Sequence, residues 1–166
     1  MPKIMSSNVA NKEYRKRLVK HSSLFVPENV IVRMTDHADA GLAENREIMG
    51  LIMGSVYFDE HGEYAVVEDV ATSVLDATEI GVRFNRDHLE ELFDSIDSCK
   101  GEHVVGWYHS HLGIGCYLSE IDIKTHEGIF GRDTGFAIVI DPMISIVVPF
   151  ICSGGNPLSV KMVIME

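Results

Sequence analysis

The chain has 166 residues, of which 46% are hydrophobic and 23% are charged. This composition is typical of one soluble globular domain that is large enough to bury a sizeable core. No stretch approaches the roughly 18–20 apolar residues that span a bilayer, and the first residues lack the apolar run of a secretory signal. We therefore expect a cytoplasmic protein that makes no contact with a membrane.

The net charge of −11 is unevenly distributed along the chain. Residues 1–33 carry a net charge of +5, whereas the rest of the chain carries −16. An acidic body disfavours nucleic acid as a partner, because phosphates are bound by Lys and Arg. It would suit a basic protein partner, although simple solubility explains it equally well. Three cysteines, Cys99, Cys116 and Cys152, are too few for a disulfide framework and indicate a reducing compartment.

The N-terminal part of the chain is basic. Residues 1–28 show little apolar periodicity, which predicts a basic arm: a tail, an assembly contact or a short helix lying on another surface. A disordered leader is the alternative. The domain itself is expected to occupy residues 29–166. Its first element is predicted to be a short β-branched strand over residues 29–33. Residues 35–45 are predicted to form a helix with Thr35 as its N-cap.

The next part of the chain predicts a hairpin, a loop and a helix. Residues 47–70 read as two apolar strands around a turn, and Gly50 and Gly54 favour a strand that bends or approaches another backbone closely. Residues 71–85 have no regular periodicity, and a loop of this length in a compact domain is often functional. An amphipathic helix is predicted over residues 87–98 from its apolar positions, Leu89, Leu92, Phe93 and Ile96.

The C-terminal half predicts further strands around one helix. Residues 104–111 form the first strand, which a glycine-rich loop connects to a helix that begins at Ser119 and ends near residue 130. Three closing strands follow over residues 136–140, 144–151 and 158–165, separated by Asp-Pro and Ser-Gly-Gly-Asn-Pro turns. Helices interleaved with hairpins indicate an α/β domain with a mixed sheet.

Two histidines and an aspartate predict a metal site. Residues i and i+2 of a strand point to the same face, so His109 and His111 can present their imidazoles side by side. Asp122, one turn into the following helix, can supply a third bond. Two imidazoles and a carboxylate match catalytic zinc, which keeps a water in its fourth position and lowers the pKa of that water to about 7.

Two more residues are candidates for the chemistry. Glu47 is the best candidate for the general base, because a lone carboxylate in an apolar strand keeps a high proton affinity through burial. Ser119 could donate a hydrogen bond to an oxyanion. Simpler interpretations remain open: Ser119-x-x-Asp122 is also a helix capping box, a His-x-His pair can be merely polar, and Glu47 can be a strand-edge charge. Cys116 is a weaker candidate for a fourth ligand or a thiol nucleophile.

Three motifs follow one another along the chain: Glu-x-Met-Gly-Leu-x-x-Gly from Glu47, then Gly-Trp-Tyr-His-Ser-His, then Gly-x-Gly-Cys-Tyr-Leu-Ser-x-x-Asp ending at Asp122. Together with the seven-residue gap between the second His and the Ser, this order resembles the signature of the JAMM (MPN+) metalloprotease family. The Gly-x-Gly-Cys-aromatic-Leu-Ser version is similar to the branch that contains the proteasome-lid deubiquitinase and the signalosome deneddylase. With the shortness of the chain, it predicts an archaeal-type stand-alone relative.

The resemblance implies roles for particular residues. Zinc would be bound by His109, His111 and Asp122, with Glu47 as general acid/base and Ser119 as the oxyanion donor. The implied fold is a single MPN domain similar to cytidine deaminases, with a curved mixed β-sheet and flanking helices. One position departs from the family pattern, because the residue after the second His is normally Pro and here it is Leu. Since proline pre-sets the backbone, this change could loosen the loop or slow turnover without removing a ligand.

The activity that the resemblance implies is a zinc-dependent isopeptidase that removes ubiquitin or a ubiquitin-like modifier from lysine. Such modifiers end in Gly-Gly, and residues 71–85 correspond to the family's insertion, which we expect to bind that tail by strand addition. The alternative is an MPN-type scaffold of a proteasome or a proteasome-like assembly. A zinc nucleoside deaminase is excluded, because the Pro-Cys-x-x-Cys ligand pair that it needs is absent from the sequence.

Overall fold

The computed structural model describes residues 3–5, 23–60, 62–77 and 81–166. Most of the basic N-terminal segment lies outside these residues, as does part of the loop predicted over 71–85. The described residues include three α-helices: α1 (Glu28–Ala43), α2 (Leu89–Ser98) and α3 (Glu120–Phe130). They include eleven strands: β1 (Lys3–Met5), β2 (Ser23–Pro27), β3 (Met49–Asp59), β4 (Gly62–Ala71), β5 (Leu75–Ala77), β6 (Val82–Phe84), β7 (His103–Ser110), β8 (Phe136–Asp141), β9 (Ile146–Ser153), β10 (Asn156–Ser159) and β11 (Lys161–Met165).

Nine of these strands form one mixed sheet in the order β1-β11-β2-β4-β3-β7-β8-β9-β10. Strand β3 runs antiparallel to both β4 and β7, whereas β7 and β8 are parallel and are connected through α3. A parallel pair needs such a crossover, since a tight turn can join only antiparallel strands. Strands β5 and β6 form a separate antiparallel ribbon. The curved mixed sheet with flanking helices confirms the predicted α/β fold class.

The helices cover both faces of the sheet. Helix α1 buries Val30, Met34 and Ala38 against one face. The opposite face packs against α2 and α3, and its cluster contains Trp107 of β7. His109 lies two residues after Trp107 and therefore points to the same face of the sheet. The end of β7 thus presents its side chains toward α3.

The strand predicted over residues 29–33 is wrong, and the helix predicted over residues 35–45 is confirmed as far as Ala43 but begins earlier, at Glu28. Residues 29–33 are part of α1, and Thr35 is an internal residue whose hydroxyl donates to the carbonyl of Ile31 at 3.0 Å. The β-branched run suggested a strand, but an apolar stripe at helical spacing packs on the sheet and overrides that propensity. Ser23–Pro27, which lies within the segment assigned to the arm, is strand β2 between β11 and β4. The sheet therefore starts before the predicted boundary at residue 29.

The hairpin over residues 47–70 is confirmed by the antiparallel pairing of β3 and β4. Gly54 lies at the register shift of this pair, and a Cβ atom there would stand 2.2 Å from the carbonyl oxygen of Val66. Glycine is required by this close approach. The segment over 71–85 is more regular than predicted, since it contains the β5–β6 ribbon. The last predicted strand is two strands, β10 and β11. None of the helices in the described ranges has the length and apolarity needed to cross a membrane.

Candidate metal centre and active site

A tight turn after α1 sets the position of Glu47. Asn45 adopts a left-handed conformation (φ 54°) that ends the helix, a conformation that Asn tolerates better than most residues. The backbone N–H of Arg46 then donates to the carbonyl of Gly41 at 2.8 Å. A Cβ atom at Gly41 would stand 2.7 Å from the carbonyl oxygen of Arg46, so a glycine is needed for the chain to fold back here.

Glu47 is held against the end of β7. Its neighbour Ile48 donates its N–H to the Ser110 hydroxyl at 2.8 Å and accepts the Ser110 N–H at 2.9 Å. Only 6% of Glu47 is exposed. Burial raises the pKa of this carboxyl to about 7, while the nearby charge of His111 lowers it and that of Asp122 raises it. The side chain can therefore exchange a proton near neutral pH.

Three side chains converge where β7 meets α3. His109 is the second-last residue of β7, and His111 follows the strand directly. Asp122 is in the first turn of α3. The Nε2 atoms of the two imidazoles are 3.3 Å apart, and each lies 3.2 Å from Oδ2 of Asp122. Among the described residues, these three form a group that could hold a metal ion.

The donor set fits a cation. His111 must donate its Nδ1–H to the carbonyl of Gly115 at 2.7 Å, so the neutral ring has only a lone pair on Nε2. In the neutral ring this lone pair faces a carboxylate oxygen, and two acceptors at such a distance repel each other unless a proton or a metal cation lies between them. A tetrahedral zinc ion with bonds of about 2.0–2.1 Å requires ligand atoms about 3.3 Å apart. The observed spacing matches that requirement.

The pKa values of the three residues follow from their burial and their contacts. Burial lowers the pKa of His109, which favours the neutral ring that a metal needs. Burial alone would raise the pKa of Asp122, but hydrogen bonds with His109 and His111 hold it well below its ordinary value. For His111, burial lowers the pKa, whereas hydrogen bonds with Asp122 and Gly115 outweigh that effect and raise it. The carboxylate is thus ionised and available as a ligand.

Ser119 forms the capping box that the sequence left open as a simpler interpretation. The N–H of Asp122 donates to Oγ of Ser119 at 3.1 Å, and the N–H of Ser119 donates to Oδ2 of Asp122 at 2.9 Å. The Ser119 oxygen is an acceptor in this cap, so its hydroxyl hydrogen remains available for another partner. The capping function therefore does not exclude an oxyanion contact.

One cleft of about 220 Å³ joins four of the five predicted residues: Glu47, His111, Ser119 and Asp122. Gly81 and Val82, at the start of β6, also line this cleft. His109 lies deeper, fully buried behind the cleft. Cys116 does not join the metal-binding group, and its thiol donates to the carbonyl of Ile146 at 3.4 Å.

Two supporting residues were missed from the sequence. The indole of Trp107 stacks on the imidazole of His109 with ring centroids 4.4 Å apart.

The second is Asp141, whose buried carboxylate accepts the N–H groups of Gly113 at 2.9 Å and Gly115 at 2.8 Å, and so fixes the loop that contains Leu112. This anchoring offers another way to fix the loop where the family proline is replaced by Leu112, because the Asp141 carboxylate binds the backbone on the C-terminal side of that residue. The Asp-Pro pair had suggested only a turn.

Comparisons with known proteins identify relatives over most of the chain. The family model described as "JAB1/Mov34/MPN/PAD-1 ubiquitin protease" matches residues 20–130. COP9 signalosome complex subunit 5 of Gibberella zeae is 36% identical over 123 residues, which are 70% of this chain and 34% of that protein. The 26S proteasome regulatory subunit RPN11 of Candida glabrata is 32% identical over 140 residues, which are 82% of this chain and 42% of that protein.

The solved structures add a likeness of fold. A protein of Desulfitobacterium hafniense with a known solution structure matches with a TM-score of 0.61 at 19% identity, over 86% of this chain and 93% of that one. The alignments with the two curated relatives span less than half of their lengths, so what those proteins share with this chain is one domain. Because the family model covers well over half of the sequence, this chain belongs to the JAB1/Mov34/MPN/PAD-1 family.

Proposed function

We propose that the protein is a zinc-dependent isopeptidase that cleaves the bond between a lysine side chain and ubiquitin or a ubiquitin-like modifier. The observation that carries this proposal is the convergence of three ligand atoms, at 3.2–3.3 Å from one another, beside a protonatable carboxylate in an open cleft. Zinc would be held by His109, His111 and Asp122. The three protein ligands leave a coordination position open, as in catalytic zinc sites.

The chain's own residues would divide the proton transfers between them. Zinc at this site supplies Lewis-acid activation of water and of the scissile carbonyl. Glu47 takes the proton of the attacking water and returns it to the leaving lysine amine, a task that suits a pKa near neutrality. The free hydrogen of the Ser119 hydroxyl stabilises the oxyanion on the attacked carbonyl.

The cleft favours a thin, extended substrate. A Gly-Gly tail has no side chains to clash with its walls, and the β5–β6 ribbon offers backbone groups for strand addition. The rim carries exposed apolar side chains, among them Ile114 and Ile121, which is 71% exposed. Such side chains would pack against the apolar residues that precede a glycine tail. Because the two curated relatives are named as subunits of a signalosome and a proteasome, we also propose docking on a proteasome-like assembly.

Cleavage of an isopeptide-linked substrate tests the proposal. Diubiquitin and a modifier–lysine conjugate are incubated with wild type, wild type stripped with a chelator, Glu47→Gln, and the exposed control Glu44→Gln. We expect cleavage by wild type and Glu44→Gln, recovery of the stripped protein on zinc addition, and a loss of at least about 100-fold in Glu47→Gln. Full activity of Glu47→Gln would refute the general-base role. A wild type with neither zinc nor cleavage would favour a scaffold without catalysis.

A further inference from the structure

The two imidazoles of the metal centre are oriented by different means. His111 donates its Nδ1–H to the backbone carbonyl of Gly115, which is the usual way in which a protein fixes a ligating histidine. Nδ1 of His109 is buried and has no hydrogen-bond partner among the described residues. The indole of Trp107 stacks on this imidazole at an angle of only 12°, and so restrains the ring plane of His109.

The indole is itself fixed by a buried histidine. Nε1–H of Trp107 donates to Nδ1 of His126 at 3.1 Å. Nε2–H of His126 donates to the backbone carbonyl of Thr134 at 2.8 Å. Both contacts require the neutral ring with its hydrogen on Nε2, since an indole can only donate and a carbonyl can only accept. Burial lowers the pKa of His126, which favours this neutral state.

The position of His126 on α3 links the two halves of the metal centre. It lies one helical turn after Asp122, on the buried side of α3. The same helix therefore supplies one ligand directly and, through the indole, supports the ring of another. An apolar residue would fill this buried position without a polar partner for the indole N–H, and an unpaired buried donor is costly.

We propose that His126 is a positioning residue of the metal centre, which orients His109 by holding Trp107 in its stacked position. The inference rests on the proposed zinc function for its consequence, but the orientation itself is a property of the metal-free protein. Hydrogen bonding, rather than bulk, is the feature of His126 that matters. His126→Gln, which keeps one acceptor and one donor, should therefore behave differently from His126→Leu, which keeps only volume.

The metal-free protein provides the first test. Trp107 is the only tryptophan of the chain, so its emission reports this site alone, and its ring current shifts the NMR signals of the His109 imidazole. We expect wild type and His126→Gln to share both signatures and His126→Leu to lose them. If His126→Leu fails to fold, His126→Met replaces it in the same comparison, because its thioether is only a weak acceptor for the indole N–H. Unchanged His109 signals in the folded variants would overturn the inference.

Zinc affinity, measured by competition with a chelator, provides the second test. Loss of an outer-shell partner typically weakens metal binding about 10–100-fold, so we expect that loss in His126→Leu and wild-type affinity in His126→Gln. A purely structural role would lower the unfolding midpoint of His126→Leu but leave the affinity of the folded protein unchanged, and that result would overturn the inference. If wild type bound no zinc, the proposed function would fail, while the NMR comparison would still decide the role of His126.

Discussion

Replacing Glu47 by Gln should change the stability of the metal-free protein in a pH-dependent way. This carboxyl is 6% exposed, and its pKa is raised from the ordinary value of 4.5 to about 7. The folded protein therefore binds this proton more tightly than the unfolded chain does. The resulting stabilisation is fully present below pH 4.5 and is lost as the pH rises through about 7.

The size of the effect follows from the pKa change. A rise from 4.5 to about 7 corresponds to roughly 3 kcal/mol over the full pH range, at about 1.4 kcal/mol per tenfold change in proton affinity. Between about pH 8.5 and about pH 5.5 the same linkage gives roughly 2 kcal/mol. On acidification, protonation of Glu47 raises the free energy of unfolding of wild type by this amount. The amide of Glu47→Gln does not titrate, so the variant lacks this contribution.

Denaturant unfolding in the presence of a chelator measures the effect. The free energies of unfolding of wild type and Glu47→Gln are compared at the two pH values, and Glu44→Gln controls for the loss of one negative charge at a side chain that is 71% exposed. We expect the stability of Glu47→Gln relative to wild type to be roughly 2 kcal/mol greater at about pH 8.5 than at about pH 5.5. A difference that does not vary with pH would refute the reasoning, because the carboxyl would then be no less hydrated in the folded state than in the unfolded chain.

Three further predictions concern the ligands, the loop and the ribbon. His111→Asn should lose bound zinc, measured by elemental analysis, whereas the exposed His103→Asn should keep it; equal zinc contents would contradict the ligand assignment. Asp141→Ala removes the acceptor of three backbone N–H groups and should cost about 3 kcal/mol in urea unfolding, whereas a cost near zero would show that the loop does not depend on it. Deletion of residues 74–83 should keep zinc but lower cleavage of a modifier conjugate at least tenfold, and unchanged cleavage would exclude the ribbon from substrate binding.

The residues of the candidate site could be predicted because their geometry is local. Alternation along a strand brings His109 and His111 to one side, and helical spacing places Asp122 next to Ser119. Glu47 is more than sixty residues away from them in the sequence, so its place in the cleft depended on the family resemblance and on the expected burial. The structure brings it there through the exchange of hydrogen bonds between Ile48 and Ser110.

The errors share a physical cause, which is that tertiary contacts decided the outcome. The β-branched run Val30–Ile31–Val32 favours a strand locally, but burial of Val30 and Met34 against the sheet selects a helix. The ribbon β5–β6 has too few residues to show a periodicity. The supporting roles of Trp107 and Asp141 depend on partners in other elements, and neither residue type carries a sequence signal for such a role.

The helix cap and the candidate metal site, which the sequence presented as alternatives at Ser119 and Asp122, share the carboxylate of Asp122. Oδ2 of Asp122 accepts the N–H of Ser119 at 2.9 Å and lies 3.2 Å from both imidazole nitrogens. A carboxylate oxygen can serve two partners, because it has more than one lone pair. The cap fixes the rotamer of Asp122 without a metal, so the proposed ligand is oriented in advance. Capping therefore holds the Asp122 carboxylate of α3 in the position that the proposed ligand role requires.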